Sequence, residues 1–330
     1  LHITDFELAG RKMSFSSRGL SAGPDSVSLL LASKDKADTI ALQMTGGKSD
    51  WFLRNFSLNL SDGTALKVSG KARKETGEIS GTVAAESVPA GLVGEFVKVV
   101  GRFKALLSFN GKLLGTLTAP VMEGALTARE VFLSEKDQES GVAVPVGDFS
   151  AQMSWGKSLF KLDKASVGGQ YAGDFKYWSK PVSKLWASVT AQDANPKIFF
   201  AFMNTAPDVS GTLNGKIEIA HKKDPDLSQK EPAWEGSGEL KLTQGTWSGT
   251  PFDEMELRYH CSKDRLTVDA LNMIQSDGSM KVRATASQTG AENPLKVYCN
   301  LENFAAGANR VDCEFRVDGK YHMGSNEWLA

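Results

Sequence analysis

Four histidines, three cysteines and one Gly-Lys-Ser tripeptide are the residues of this chain best suited to chemistry. An imidazole can serve as a base or a metal ligand and a thiolate as a nucleophile or ligand, but each needs partners at a fixed separation. His2, His221, His260 and His322 lie beside turns and strand ends, and none has a Ser, Cys or carboxylate at a catalytic spacing. They read as surface histidines. Cys261, Cys299 and Cys313 show neither Cys-x-x-Cys nor Cys/His ligand spacing, so zinc and redox chemistry have no support. All three fall on the apolar parity of their segments and read as buried thiols. A hairpin centred near Ala306 would set Cys299 opposite Cys313, a candidate disulfide. Gly47-Lys48-Ser49 imitates the end of a phosphate loop, yet that motif needs glycine where Leu42 stands and a strand-to-helix junction that the pattern here does not provide. The expectation is no catalytic residue, no metal and no cofactor.

The elements that carry these residues are strands. From Gly236 to Leu301, apolar side chains recur at every second position: Leu240 and Leu242; Met255, Leu257, Tyr259 and Cys261; Leu266, Val268 and Ala270; Met280, Val282 and Ala284; Val297, Cys299 and Leu301. Turn residues separate the runs, at Ser248-Gly249, Ser262-Lys263-Asp264, Ser276-Asp277-Gly278 and Thr289-Gly290. Period two gives each strand one oily and one polar face, so the chain predicts an antiparallel sheet whose oily side must be covered. The same pattern runs from Val27 to Val83, at 105–109 and 113–117, from Phe149 through Leu185 to Val189, at Leu213, Ile217 and Ile219, and from Val311 to Val317. It breaks at Pro89 and again at Asn195-Pro196, where apolar residues take helical spacing and predict short helices near 89–98 and 196–204. The fold class expected is all-β, an elongated, curved antiparallel sheet with two short helices.

Composition narrows the function. The chain is 41% apolar and 23% charged, in the range of folded proteins, and its net charge of −1 with no Lys/Arg cluster argues against nucleic acid as a partner. The apolar windows at 89–107 and 196–203 are interrupted by charge or too short to span a bilayer. No basic segment leading into an apolar core opens the chain at Leu1, so any signal or anchor is expected outside it.

Asn110-Gly111-Lys112 recurs as Asn214-Gly215-Lys216, and Pro120-Val121-Met122-Glu123-Gly124 as Pro232-Ala233-Trp234-Glu235-Gly236. Pro89 matches Pro196, and Phe160-Lys161-Leu162-Asp163 matches Leu266-Thr267-Val268-Asp269, all in one order. The spacing is roughly a hundred residues, which predicts repeat units over 1–119 and 120–231 and a partial one over 232–330. The phrases Gly115-Thr116-Leu117-Thr118-Ala119-Pro120 through Gly124 and Ser210-Gly211-Thr212-Leu213-Asn214-Gly215 resemble those of AsmA-like envelope proteins of the TamB and YhdP type. The resemblance covers the chain from about Phe56 onward. It implies a periplasmic β-groove in a Gram-negative bacterium, part of an inner-membrane-anchored protein whose anchor is missing here. It also implies a phospholipid or other acyl-lipid cargo, an outer-membrane protein as a candidate partner, and a role in outer-membrane biogenesis.

On that reading the groove is lined by Phe149, Met153, Leu185, Val189, Ile217, Ile219, Leu240, Leu242, Met255, Leu257, Leu266, Val268, Met280, Val282, Val297, Leu301 and Phe315. The same residues could instead close-pack as an ordinary core. Two rival functions remain: a structural spacer without cargo, and, ranked below it, a β-helical carbohydrate-active enzyme, which would carry acidic pairs in a cleft.

Overall fold

The computed structural model describes residues 2–8, 11–33, 37–90, 103–133, 144–179, 184–202, 208–222, 233–262, 265–287, 293–306, 309–321 and 328–329. They form twenty-one strands and one short helix, divided between two compact units, Leu1–Gly169 and Gln170–Ala330. The expected all-β antiparallel architecture is observed.

In the first unit the strands are β1 (His2–Leu8), β2 (Arg11–Gly23), β3 (Ser26–Ala32), β4 (Thr39–Gly46), β5 (Asp50–Asn59), β6 (Ala65–Arg73), β7 (Ile79–Pro89), β8 (Phe103–Thr116), β9 (Ala119–Leu133), β10 (Val144–Trp155) and β11 (Leu159–Val167). Each pairs antiparallel with the next, an uninterrupted meander. Short polar turns make this topology the cheapest route. Asp62 Oδ1, for example, accepts from Thr64 N at 2.9 Å while Gly63 takes φ +89, so the β5–β6 link closes on itself. Phe15, Leu31 and Leu60 form a small core, flanked by Leu29, Ile40 and Leu58.

The second unit holds β12 (Tyr171–Trp178), β13 (Lys184–Ala194), helix α1 (Pro196–Phe202), β14 (Thr212–Lys222), β15 (Ala233–Trp247), β16 (Thr250–Ser262), β17 (Arg265–Gln275), β18 (Gly278–Ser287), β19 (Asn293–Ala306), β20 (Asn309–Tyr321) and the two-residue β21 (Trp328–Leu329). These too pair in order. Ser248 and Gly249 turn β15 into β16 with φ +49 and +78, the two-residue hairpin whose twist matches its strands. Helix α1 starts where Asn195 Oδ1 accepts from Lys197 N at 3.0 Å, with Pro196 at the first helical position.

Three differences from the sequence reading stand out. The helix near 196–204 is present as Pro196–Phe202, whereas that near 89–98 falls almost wholly outside the described residues, Pro89 being the last residue of β7. β9 continues to Leu133, although strict alternation ends near Pro120. Its period is interrupted where Glu130 takes φ +50 and the β9–β10 register shifts around Gly147. Cys299 and Cys313 are not directly opposite. The hairpin turns between Ala306 and Asn309 and not about Ala306, and the bulge between Leu301 and Phe304 recovers one residue of that shift, so Cys299 faces Phe315, Cys313 faces Leu301, and the two thiols are unbonded.

Candidate functional site

Residues directly opposite across an antiparallel ladder share a face, so the registers trace each face of the sheet from strand to strand. In the second unit Val189 faces Ile217, Leu240 faces Gly215 and Leu257, and Leu257 faces Leu271. Leu271 faces Val282, which faces Cys299, which faces Phe315. Followed over all nine strands from β12 to β20, this face carries no Asp, Glu, Lys or Arg. The opposite face carries the charge, with ion pairs Lys216–Glu218 (2.7 Å), Lys241–Glu254 (2.7 Å) and Arg258–Glu256 (3.0 Å). Of the groove candidates, Leu185, Val189, Ile217, Ile219, Leu240, Leu242, Met255, Leu257, Leu266, Val268, Met280, Val282, Val297, Leu301 and Phe315 all lie on the uncharged face.

Phe149 and Met153 belong to the first unit, whose face is built alike. Met153 faces Gly124 and Leu162, Phe149 faces Ala128 and Val167, and the row of Met153 continues from Gly124 through Gly111, Val83, Val68 and Phe56 to Leu42. In both units the mid-strand glycines sit on this face. A Cβ at Gly70 would stand 2.8 Å from the Gly81 Cα, one at Gly215 2.9 Å from the Leu240 Cα, and one at Gly236 3.0 Å from the Ile219 Cα. Backbones that approach this closely leave no room for a side chain, as on the inner side of a bent sheet. Tyr259 fills the gap over Gly238, a Cβ there meeting its Cζ at 2.9 Å, and burial pushes its hydroxyl pKa up, helped by the neighbouring Cys261.

The uncharged face is unevenly covered along the strands. Near α1 it is closed: Leu213 (0% exposed), Leu242 (2%), Met255 and Met273 are buried, with Ile198 and Val209 buried beside them. Phe200 of α1 meets Trp247 edge to face at 5.4 Å. At the far strand ends Leu266 (37%) and Trp234 (42%) are exposed, and between these limits Ile217, Tyr259, Val268, Val282, Ala284 and Val297 are half-buried. Trp234 lies against His221 with ring centroids 4.7 Å apart.

Leu271 and Met273 also line this face, where simple alternation would place Ala270. The β16–β17 register shifts between Arg258 and Tyr259, and the adjacent apolar pair Ala270-Leu271 is the sequence mark of that extra residue.

Among the described residues no three His, Cys, Asp or Glu side chains are grouped to hold a metal, and His260 Nδ1 meets Asp269 Oδ2 at 2.9 Å on the exposed, charged face. A depression of about 440 Å³ of mixed lining lies by the start of α1, with Gln170, Asp193, Asn195, Lys197 and Ser210 beside Ala194 and Val209. No described helix is long and apolar enough to cross a membrane. No protein-family model, curated protein or solved structure matches the chain.

Proposed function

We propose that the uncharged sheet faces hold the acyl chains of phospholipid or another lipid, the chain serving as a segment of an envelope protein that carries or shields lipid between the inner and outer membranes. The carrying observation is a face nine strands wide without a charged side chain, whose middle rows are left half-exposed. Each Val, Leu, Ile, Met or Phe left in water forgoes about 1.5–3 kcal/mol, so such a surface favours an apolar occupant. A lipid gains in return: a sixteen-carbon tail costs on the order of 12 kcal/mol to expose, at about 0.8 kcal/mol per CH₂. The eleven residues of β14 run about 37 Å at the usual rise, longer than the roughly 15 Å of one bilayer leaflet. The periplasmic setting between the inner and outer membranes comes from the AsmA-like resemblance of the Gly115–Gly124 and Ser210–Gly215 phrases.

An uncharged inner face also favours this reading over a carbohydrate-active enzyme, whose chemistry needs two carboxylates converging on the substrate. The test is native mass spectrometry together with solvent extraction of protein made in a Gram-negative bacterium without detergent. Stoichiometric acyl lipid is the expected result. Protein that carries none, and takes up none from vesicles, is a spacer and the lipid reading fails.

A further inference from the structure

Strand β20 differs from the other long strands of its unit in being exposed on both faces. Every residue from Asp312 to Asp318 is exposed, with Phe315 at 44% and Val317 at 40%. Its inner edge pairs with β19 without interruption from Cys313 to Tyr321. On its outer edge, among the described residues, only Lys320 and Tyr321 have strand partners, Leu329 and Trp328 of β21. Among the described residues the stretch from Asn309 to Gly319 therefore offers unpaired backbone groups on that edge, with no proline in it and the bulge of its ladder carried by β19.

The charges on β20 read the same way in both directions. Glu314, Arg316, Asp318 and Lys320 alternate in sign on the polar face. Laid antiparallel against a second β20 about Val317, Arg316 falls opposite Asp318 and Glu314 opposite Lys320, each pair occurring twice by symmetry. Val317 then meets its own copy and Phe315 meets Gly319. Other registers are worse. Centring on Arg316 sets that residue against itself and Glu314 against Asp318, and centring on Phe315 sets Asp312 against Asp318 and Arg310 against Lys320. Centring on Glu314 opposes that carboxylate to itself and recruits Arg310 and Asp312, already engaged with Asp277 (2.7 Å) and the Asn303 N–H (2.6 Å). Like charges directly opposite are unfavourable and opposite ones favourable, so the pattern selects one register.

We propose that two copies of this chain join edge to edge through β20, antiparallel about Val317, so that their uncharged faces continue into one another. The second copy's Cys313 and Glu314 then take the places of Trp328 and Leu329, and β21 acts as a two-residue guard that must leave. The inference stands whether or not the face holds lipid.

Sedimentation velocity of the full chain over a concentration series tests it, with a second chain ending at Glu327. A reversible dimer is expected, tighter in the shortened chain. Arg316→Asp alone and Asp318→Arg alone each weaken it roughly tenfold or more, about 1.4 kcal/mol, and the double exchange restores it to within a few-fold. In a Cys313→Ser background, Val317→Cys forms an intermolecular disulfide on mild oxidation and Arg316→Cys does so far less. A chain that is monomeric throughout in both lengths, a dimer indifferent to the single exchanges, a double exchange that does not restore it, or preferred cross-linking at 316 overturns the proposal.

Discussion

At the scale of single residues, Tyr171 shows what a buried polar atom costs in this sheet. It is 5% exposed, and its hydroxyl donates to the Asn195 carbonyl at 2.6 Å, tying β12 to the start of α1. Phenylalanine at position 171 keeps the ring and removes that bond, leaving the carbonyl only the Ile198 N–H at 3.2 Å, so Tyr171→Phe is expected to cost about 0.5–1.5 kcal/mol in a urea titration. Burial holds the Tyr171 hydroxyl far above its ordinary pKa. The folded state therefore keeps the proton at a pH where the unfolded chain, titrating near pH 10, has released it. This contribution is complete below about pH 10 and is lost as pH rises beyond it, and the loss is expected to be smaller in Tyr171→Phe. The cysteines separate on similar grounds. Burial, with Cys313 nearby, pushes the Cys299 thiol up, whereas Cys313 is exposed. Iodoacetamide at neutral pH is expected to label Cys313 well before Cys299, read by peptide mass spectrometry. The shared apolar parity of these thiols was legible in the sequence; their two-residue offset was not, because it is set by a turn that pairs Ala306 with Asn309, only partly compensated by the bulge between Leu301 and Phe304.

At the scale of elements, the bulges decide what alternation could reveal. Left-handed residues recur on alternate strands, at Ser87, Glu130, Lys164, Asp193, Gln244 and Asn303 on β7, β9, β11, β13, β15 and β19. In three cases a side chain of the following strand accepts from the N–H of that residue: Asp148 Oδ1 from Glu130 (3.2 Å), Asn214 Oδ1 from Asp193 (2.9 Å) and Asp312 Oδ1 from Asn303 (2.6 Å). Each such residue flips the facing parity of the strand beyond it, which is why Ala128 and Val131, three apart, are both buried. Sequence alternation therefore slips by one residue at each bulge; β9 is lost earlier, near Pro120, because Gly124 and Ala128 leave its inward row too small to stand out as apolar. Turns and α1 were easier, since Gly, Asn and Pro act locally. Asn303→Val places a β-branched residue at φ +45 and is expected to cost about 1–3 kcal/mol, against a few tenths for Asn303→Gly, measured by thermal unfolding.

At the scale of the molecule, the question is whether the uncharged face is a trough or a closed core, and a bulky substitution separates the two. Which face is apolar could be read from alternation, because fifteen of the seventeen candidates fall on one traced face and Phe149 and Met153 on its counterpart. How deeply each residue is covered could not, because the closed end lies by α1, where Phe200 packs on Trp247 and Val209 bridges to it, and neither belongs to the alternating runs. Ala284 sits in a middle row, half-buried, facing Val268 on one side and Val297 on the other. In a close-packed interior Ala284→Trp would overpack its neighbours and cost about 1–3 kcal/mol or more. Beside an open trough the indole can lie along the face, so the change in stability is expected to stay within about 0.5 kcal/mol. The same ring then occupies the space meant for an acyl chain, and lipid recovered per protein is expected to fall several-fold, with loss of the stabilisation that a bound ligand gives by mass action. Leu242→Trp, made where the face is already closed, is the contrast: it should destabilise the fold by the overpacking amount. If Ala284→Trp unfolds the protein as readily as Leu242→Trp, the middle rows are core and the trough does not exist. If it folds well and retains a full complement of lipid, the cargo lies elsewhere.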